Sequence, residues 1–111
     1  MCTKSQLEAI EEMVNYYRSV YGDSIDTIIL YGSYARGDYS DDSDIDITAI
    51  VRGNRVELQK KLKKMWDFST EVGLAYDVIV SPTVIPYDEF EQYKEKLPYY
   101  RNIVKEGRKI G

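Results

Sequence analysis

The sequence predicts an α/β (α+β) fold in which a small mixed sheet of about three or four strands is flanked by helices. Two observations support this prediction: apolar residues recur at helical spacing in two long segments, and short runs rich in β-branched residues lie between the helical segments. The chain has 111 residues, which is enough for one domain with one modest core. Residues 1–111 are therefore expected to form a single domain.

The first half of the chain is predicted to contain one helix and two strands. Residues 5–21 carry apolar side chains three and four positions apart, and Gly22 follows where that helix should end. Residues 25–31 are rich in β-branched side chains and lie between glycines, which is typical of a buried strand. Residues 44–51 alternate between apolar and polar side chains, so they predict a second strand with one apolar face.

A second long helix is predicted to follow. Asn54 is its expected N-cap, and the helix is expected to end near Thr70. The lysines Lys60, Lys61, Lys63 and Lys64 are expected to form a solvated face, with contact to an acidic partner as the alternative. The residues expected to face inward are Val56, Leu62, Met65 and Trp66.

The C-terminal part is predicted to hold one strand and two shorter helices. Gly73 precedes an apolar run over residues 74–80, which predicts a third strand that closes at Ser81-Pro82. Residues 86–96 favour a further helix, and Pro98 stands where the first turn of the last helix should begin.

Composition limits the classes of function. The net charge of −4 argues against binding of a nucleic-acid backbone as the main activity. Histidine is absent, which excludes Ser-His-Asp catalysis, Cys-His catalysis and histidine-bearing zinc sites. Cys2 is the single cysteine, no apolar run is long enough to cross a membrane, and the first residues do not resemble a signal peptide. We therefore expect a cytoplasmic protein whose catalysis uses carboxylates, hydroxyls, lysine, arginine and metal.

Gly32 and Ser33 form a candidate phosphate-binding turn. They follow the predicted strand over residues 25–31, where a glycine lets backbone amides approach an anion without a side chain in the way. Ser33 would stand at the N-terminus of a short helix, whose free amides and dipole favour phosphate. Arg36 follows, and it either neutralises phosphate or forms a structural ion pair with an aspartate.

Asp44 and Asp46 are candidate metal ligands. Positions i and i+2 of a strand point to the same side, so the two carboxylates lie roughly 6–7 Å apart at the backbone. Such a pair is stabilised by divalent cations that prefer oxygen ligands, and two such ions suit phosphoryl or nucleotidyl transfer. The alternative interpretation is a solvated acidic edge, extended by the neighbouring Asp41 and Asp42.

Asp77 is the third candidate ligand. It lies within the apolar run over residues 74–80, where an unpaired carboxylate would cost several kcal/mol. If this strand lies beside the one over residues 44–51, Asp77 completes a three-aspartate site. A salt bridge to Arg36 or Arg52 is the structural alternative.

The segment from Gly32-Ser33 to Asp44-Ile45-Asp46 resembles the signature of the polymerase-beta-like nucleotidyltransferase superfamily. The fuller pattern, Gly-Ser-Tyr-Ala-Arg-Gly followed by Ser-Asp-Ile-Asp-Ile, is similar to its minimal nucleotidyltransferase branch, which includes the MNT antitoxins paired with HEPN ribonuclease toxins. Residues 97–107, LPYYRNIVKEG, are also similar to the C-terminal segment of that branch. The resemblance covers nearly the whole chain.

The resemblance implies a role for each candidate residue. Asp44 and Asp46 would hold two Mg²⁺ ions, while Asp77 would bind the catalytic ion and help to deprotonate the attacking hydroxyl. Gly32 and Ser33 would hold the triphosphate of the substrate, which is expected to be ATP. In the antitoxin branch, the acceptor of AMP is a tyrosine of the HEPN toxin.

Two other functions remain open on the sequence alone. One is a small-molecule nucleotidyltransferase, of the type that modifies aminoglycosides, whose acceptor pocket forms between subunits of a homo-oligomer. The other is a binding module that masks a partner without chemistry. Loss of Asp44 and Asp46 would leave such a module intact and would inactivate either enzyme.

Overall fold

The computed structural model describes residues 4–31 and 45–110, which form three layers with a sheet in the middle. A short 3₁₀ turn over Gly22–Ser24 follows the first helix. The helices and strands in chain order are α1 (Lys4–Tyr21), β1 (Ile25–Tyr31), β2 (Ile45–Val51), α2 (Arg55–Tyr76), β3 (Val80–Pro86), α3 (Tyr87–Tyr93), α4 (Pro98–Glu106) and β4 (Arg108–Lys109).

The sheet is mixed and its strand order is β3-β2-β1-β4. β1 runs antiparallel to both β2 and β4, whereas β2 and β3 are parallel. Parallel neighbours need a long crossover, and α2 provides it. A four-stranded mixed sheet flanked by helices confirms the predicted fold class. β4 was not predicted, since two exposed residues leave no recognisable pattern.

The two faces of the sheet pack against different helices. α1 and α2 cover one face, where Ile28, Ile47 and Val84 contribute to the larger core. α3 and α4 cover the other face, where Phe90 and Ile103 pack against the sheet. Because both faces are covered, β2 is buried along nearly its whole length rather than on one face only.

The first two strands and the first helix agree with the sequence prediction. α1 buries its apolar stripe, in which Met13 and Tyr17 are fully inaccessible to solvent. The Tyr17 hydroxyl donates a hydrogen bond to the carbonyl of Thr83 at 2.8 Å, so this helix is tied to the edge strand β3. Tyr21 ties the same helix to α2, since its hydroxyl donates to the carbonyl of Leu58 at 3.0 Å.

The end of α2 and the start of β3 differ from the prediction. Asn54 is the N-cap as expected, and its side chain accepts a hydrogen bond from the amide of Val56. The helix continues past Thr70 to Tyr76, however, and residues 74–80 do not form a strand. The helix ends instead where Asp77 adopts a left-handed conformation, with φ 56° and ψ 50°.

Gly73 lies inside the helix and enables this ending. The amides of Asp77 and Val78 both donate to the Gly73 carbonyl, the latter at 3.0 Å. A Cβ at position 73 would lie 2.6 Å from the carbonyl oxygen of Val78. The chain can therefore fold back over this position only because it is glycine.

Two residues predicted to face inward on α2 are exposed. Leu62 and Met65 are buried as expected, but Val56 and Trp66 are 61% and 47% exposed. At about 100° per residue, Val56 lies at least about 120° from Leu62 and Met65 around the helix axis, whereas Trp66 lies at the border of the buried stripe, about 40° from Leu62. Among the described residues, no helix combines the length and the apolar character needed to cross a membrane.

The C-terminal helices agree with the prediction in position. α3 begins at Tyr87, directly after the edge strand, and α4 begins at Pro98 with the proline in its first turn.

The guanidinium of Arg55 donates two hydrogen bonds of 2.8 Å to the Glu89 carboxylate. These bonds hold the pKa of Glu89 below its usual range, and they join the start of α2 to α3.

Candidate functional site

Asp46 occupies one end of the sheet, between two polar neighbours. It pairs with Tyr31 at the end of β1 and with Ser81 near the start of β3. Paired residues of adjacent strands share a face, so these three side chains form one row across the sheet. All three are half-buried, which leaves the carboxylate at a position that a ligand can approach.

This row lies on the face of the sheet that α3 and α4 cover. Asp46 and Ile50 share that face, and Ile50 is buried against Phe90 and Ile103. Ile47 points the opposite way, into the core under α1 and α2. The two C-terminal helices therefore cover the far part of this face, and Asp46 lies at its outer end.

Thr48 lies in the next row of the same face, where it pairs with Ile29 of β1 and Thr83 of β3. Its side chain is completely buried, and its hydroxyl oxygen has no hydrogen-bond partner in the described part of the chain. A buried hydroxyl without a partner is uncommon and costs free energy. The half-buried carboxylate of Asp46 offers hard oxygen atoms, which suit Mg²⁺.

Asp77 lies at the same end of the sheet as Asp46. The amide of Ile45, at the start of β2, donates to the carbonyl of Ile79 at 2.8 Å, and Asp77 is two residues before Ile79. The starts of the two parallel strands therefore coincide at the end that holds Asp46. The sequence prediction of a common location for these two carboxylates is compatible with this geometry.

The burial predicted for Asp77 is wrong. Asp77 does not lie in a buried strand but is exposed at the turn that ends α2. No burial cost requires a cation there. The proposed salt bridge to Arg52 is also wrong, because Arg52 pairs with Asp26 at 3.1 Å and lies over the ring of Tyr87.

Four of the six predicted site residues, Gly32, Ser33, Arg36 and Asp44, lie outside the described residues. Within residues 4–31 and 45–110, no three aspartate, glutamate, cysteine or histidine side chains lie close enough together to hold one metal ion. The three-aspartate site stays a prediction, since Asp44 is one of its members.

Sequence reasoning missed the residues that surround Asp46. Tyr31 and Ser81 are brought to it by strand register, and the register with β3 could not be derived while that strand was placed over residues 74–80. The alternation of residues 44–51 did contain one signal. It placed Thr48 on the same face as Asp46, two positions deeper along the strand.

Two clefts formed by the described residues lie away from this end of the sheet. One, of about 560 Å³, runs along α4 beside Lys94, Arg101 and Lys105. The other, of about 350 Å³, lies at the start of β1 near Asp26 and Lys109. Neither is lined by Asp46 or Asp77, so neither is assigned to the chemistry of these carboxylates.

Known proteins are similar to this chain over most of its length. A family model described as the nucleotidyltransferase domain matches residues 10–110. The Methanocaldococcus jannaschii protein MJ0604, named as a candidate protein adenylyltransferase, is 38% identical, and the match covers 91% of this chain and 93% of that protein. MJ0141 of the same organism carries the same description and is 32% identical, over 78% of this chain and 93% of its own length.

Solved structures share the fold at lower identity. A crystal structure of a toxin–antitoxin with AMP-PNP matches with a TM-score of 0.53 at 17% identity, over 89% of this chain and 70% of that chain. A chain of the complex between tri-AMPylated Shewanella oneidensis HEPN toxin and MNT antitoxin matches with a TM-score of 0.51 at 17% identity, over 95% and 70%. These likenesses establish a common architecture.

Proposed function

The chain belongs to the nucleotidyltransferase domain family, and from this premise we propose that it transfers AMP from ATP to a hydroxyl group of a partner protein. The observation that carries the proposal is the position of Asp46. This carboxylate belongs to the Asp44-Ile45-Asp46 motif and lies half-buried at the end of the sheet where β1 ends and β2 and β3 begin.

The proposed roles of the residues follow from this position. Asp44, Asp46 and Asp77 would hold two Mg²⁺ ions, which would offset the charge of the triphosphate and lower the pKa of the acceptor hydroxyl. Gly32 and Ser33, which follow the last residue of β1, would bind the triphosphate through backbone amides.

In the proposed reaction, the oxygen of the acceptor hydroxyl forms a bond to the α-phosphorus of ATP. The bond between that phosphorus and the oxygen of the β-phosphate breaks in line, and pyrophosphate leaves. The hydroxyl proton passes to Asp77, whose exposed position at the end of α2 leaves it open to solvent for the next transfer of that proton.

We propose that the acceptor is a tyrosine of a HEPN-type toxin. Two findings support a protein acceptor: the curated relatives are described as candidate protein adenylyltransferases, and a structural neighbour belongs to a complex that contains an AMPylated HEPN toxin.

A labelling experiment tests the proposal. The protein is incubated with magnesium, ATP labelled at the α-phosphate, and a lysate of its source cells. We expect one labelled protein band. We expect the Asp46→Asn variant to lose that band, because an amide cannot replace the charge of the carboxylate at the metal.

Asp23→Asn is the matched control. Asp23 is an exposed aspartate in the turn after α1, at the opposite end of β1 from Asp46, so its loss should leave labelling unchanged. Release of pyrophosphate without a labelled protein would support the small-molecule enzyme instead. Neither label nor pyrophosphate, from folded protein with the partner present, would leave only the non-catalytic binding module.

A further inference from the structure

The outer face of α2 has no partner within the described chain. The helix has 22 residues and is about 33 Å long. Its inward stripe of Leu58, Leu62, Met65, Ser69 and Val72 is buried. Three large apolar residues nevertheless point to solvent, since Val56 is 61%, Trp66 47% and Leu74 83% exposed.

These three exposed residues fall on one stripe. At about 100° per residue, Val56, Trp66 and Leu74 lie within about 80° of one another around the helix axis. Positions at three- and four-residue intervals connect the three residues, as in the seam between two packed helices. We call this surface the outer stripe, and its members are Val56, Gln59, Lys63, Trp66, Thr70 and Leu74.

Charge divides the surface around the outer stripe into two halves. The N-terminal half carries the four lysines Lys60, Lys61, Lys63 and Lys64 and one acid, Glu57, whereas the C-terminal half carries the acids Asp67 and Glu71 and no basic residue. All seven side chains are exposed, and none forms an ion pair with another residue of the described part of the chain. Opposite charges thus lie on the two halves of one surface that has an apolar residue at each end.

We propose that the outer stripe binds the outer stripe of a second copy of this chain in an antiparallel arrangement. A two-fold axis near residue 65 places Val56 of one copy beside Leu74 of the other. The same alignment places Lys63 beside Asp67 and Lys60 beside Glu71. Trp66 then lies near the axis and is covered by both helices.

Self-complementarity favours a second copy over another partner. A two-fold contact repeats every i–j contact as its j–i equivalent, so Lys60 and Lys63 of each copy lie beside acidic residues of the other. A partner of a single charge would match only one half and would be repelled by the other. A parallel arrangement of two copies would bring lysines against lysines.

The contact is small, because one helix stripe on each side buries less than the roughly 800 Å² per partner of a standard stable interface. The dimer should therefore form and dissociate with concentration. It also leaves the candidate site free, since Asp46 lies on the face of the sheet opposite α2. The inference is thus independent of the proposed function.

The test uses Trp66, which is the single tryptophan of the chain. The full chain is diluted while its tryptophan emission is recorded, and its mass is measured by sedimentation velocity at the same concentrations. We expect a dimer at high concentration and a shift of the emission to longer wavelength as the dimer dissociates. A monomer with constant emission up to millimolar concentration would overturn the proposal.

Charge-reversing substitutions on α2 test which residues form the contact between the two copies. Lys63→Glu should raise the dissociation constant at least tenfold, because it places a glutamate beside Asp67 of the second copy. The double variant Lys63→Glu/Asp67→Lys should restore the wild-type constant within about threefold. Lys61→Glu is the matched control, since Lys61 lies on the side of α2 where Phe68 stacks on Tyr16 of α1.

The controls decide between the proposed contact and a general effect of charge. If Lys61→Glu and Lys63→Glu weaken the dimer equally, or if the double variant does not recover, the contact is not this antiparallel one. All three positions are exposed, so the variants should keep the wild-type circular dichroism spectrum and melting temperature.

Discussion

Asp77 has an unusual backbone conformation for its residue type. Among the described residues it is the one non-glycine residue with a positive φ, at 56°. Glycine would adopt this conformation without steric cost, and a non-glycine residue held there costs on the order of 1 kcal/mol. A strained aspartate at the end of the sheet that also holds Asp46 is therefore consistent with the proposed catalytic use of its carboxylate.

Replacement of Asp77 by glycine should separate stability from activity. Asp77→Gly should raise the melting temperature, because it relieves the left-handed strain by about 1 kcal/mol. The same variant should lose adenylyl transfer, because the carboxylate is gone. The measurements are thermal unfolding and the labelling assay described above.

Asp77→Asn is the matched control for the charge. Asparagine tolerates the left-handed conformation as well as aspartate does, so its melting temperature should stay near that of the wild type while labelling is lost. If both variants kept full labelling, Asp77 would be a structural residue of the helix end and not a third metal ligand.

Thr48 offers a second test at the scale of one residue. Its hydroxyl is buried without a partner among the described residues, and such an atom costs about 1–3 kcal/mol. Thr48→Val has nearly the same shape and lacks that hydroxyl, so it should stabilise the apoprotein in thermal unfolding. Destabilisation by Thr48→Val would instead show that an ordered water or another group completes the bonding of this hydroxyl.

At the scale of the element, the accuracy of the sequence prediction depends on how local the determining interactions are. The strand Ile25–Tyr31 was predicted at its observed bounds, because its β-branched run is framed by glycines. The N-cap at Asn54 and the first-turn proline at Pro98 are also local signals, and both were predicted correctly.

The third strand was misplaced because backbone bonding at Gly73 and the strand's place in the sheet outweigh residue composition. Leu74 to Val80 has the composition of a strand, yet the helix persists through Tyr76 because the amides of residues 77 and 78 both reach the Gly73 carbonyl. The true strand contains Pro82 and Pro86, which disfavour a central strand. β3 tolerates them because it lies at the edge of the sheet.

Tyr21 gives a prediction about the packing of α1 on α2. Burial raises the pKa of its hydroxyl from 10.0 to about 12. The folded state thus holds the proton more tightly than the unfolded state. The resulting stabilisation is fully present below pH 10 and is lost as the pH rises towards 12, and a shift of this size corresponds to roughly 2–3 kcal/mol.

Tyr21→Phe should therefore flatten the pH dependence of the free energy of unfolding between pH 10 and 12, measured by urea denaturation. At neutral pH the same variant should cost about 1 kcal/mol, because the hydrogen bond to the Leu58 carbonyl is lost. An unchanged alkaline slope would mean that Tyr21 ionises as readily in the folded protein as in the unfolded chain.

At the scale of the whole molecule, the fold brings together residues that are distant in sequence. The end of β1, the start of β2 and the approach to β3 meet at one end of the sheet, because β1 and β2 are antiparallel while β2 and β3 are parallel. Tyr31, Asp46 and Ser81 thus become neighbours across 50 positions of the chain.

Part of the geometry around Asp46 could be predicted from the sequence. The strand period alone predicts that Asp44 and Asp46 face the same side, and Asp44 lies outside the described residues. The environment of Asp46, with Ser81 beside it and Thr48 beneath it, depends on a parallel register that no local pattern encodes. Residue types alone predicted a carboxylate site, while the neighbours of Asp46 required the assembled sheet.

The most direct measurement of the central claim compares two labels of ATP on the isolated acceptor protein. Purified acceptor is incubated with this protein, magnesium and ATP labelled at either the α- or the γ-phosphate. We predict that the α-label enters the acceptor in the same amount as pyrophosphate is released, and that the γ-label does not enter. We also predict that Asp46→Asn abolishes both the incorporation of the α-label and the release of pyrophosphate. Incorporation of the γ-label, or α-labelling that persists in Asp46→Asn, would contradict adenylyl transfer at this site.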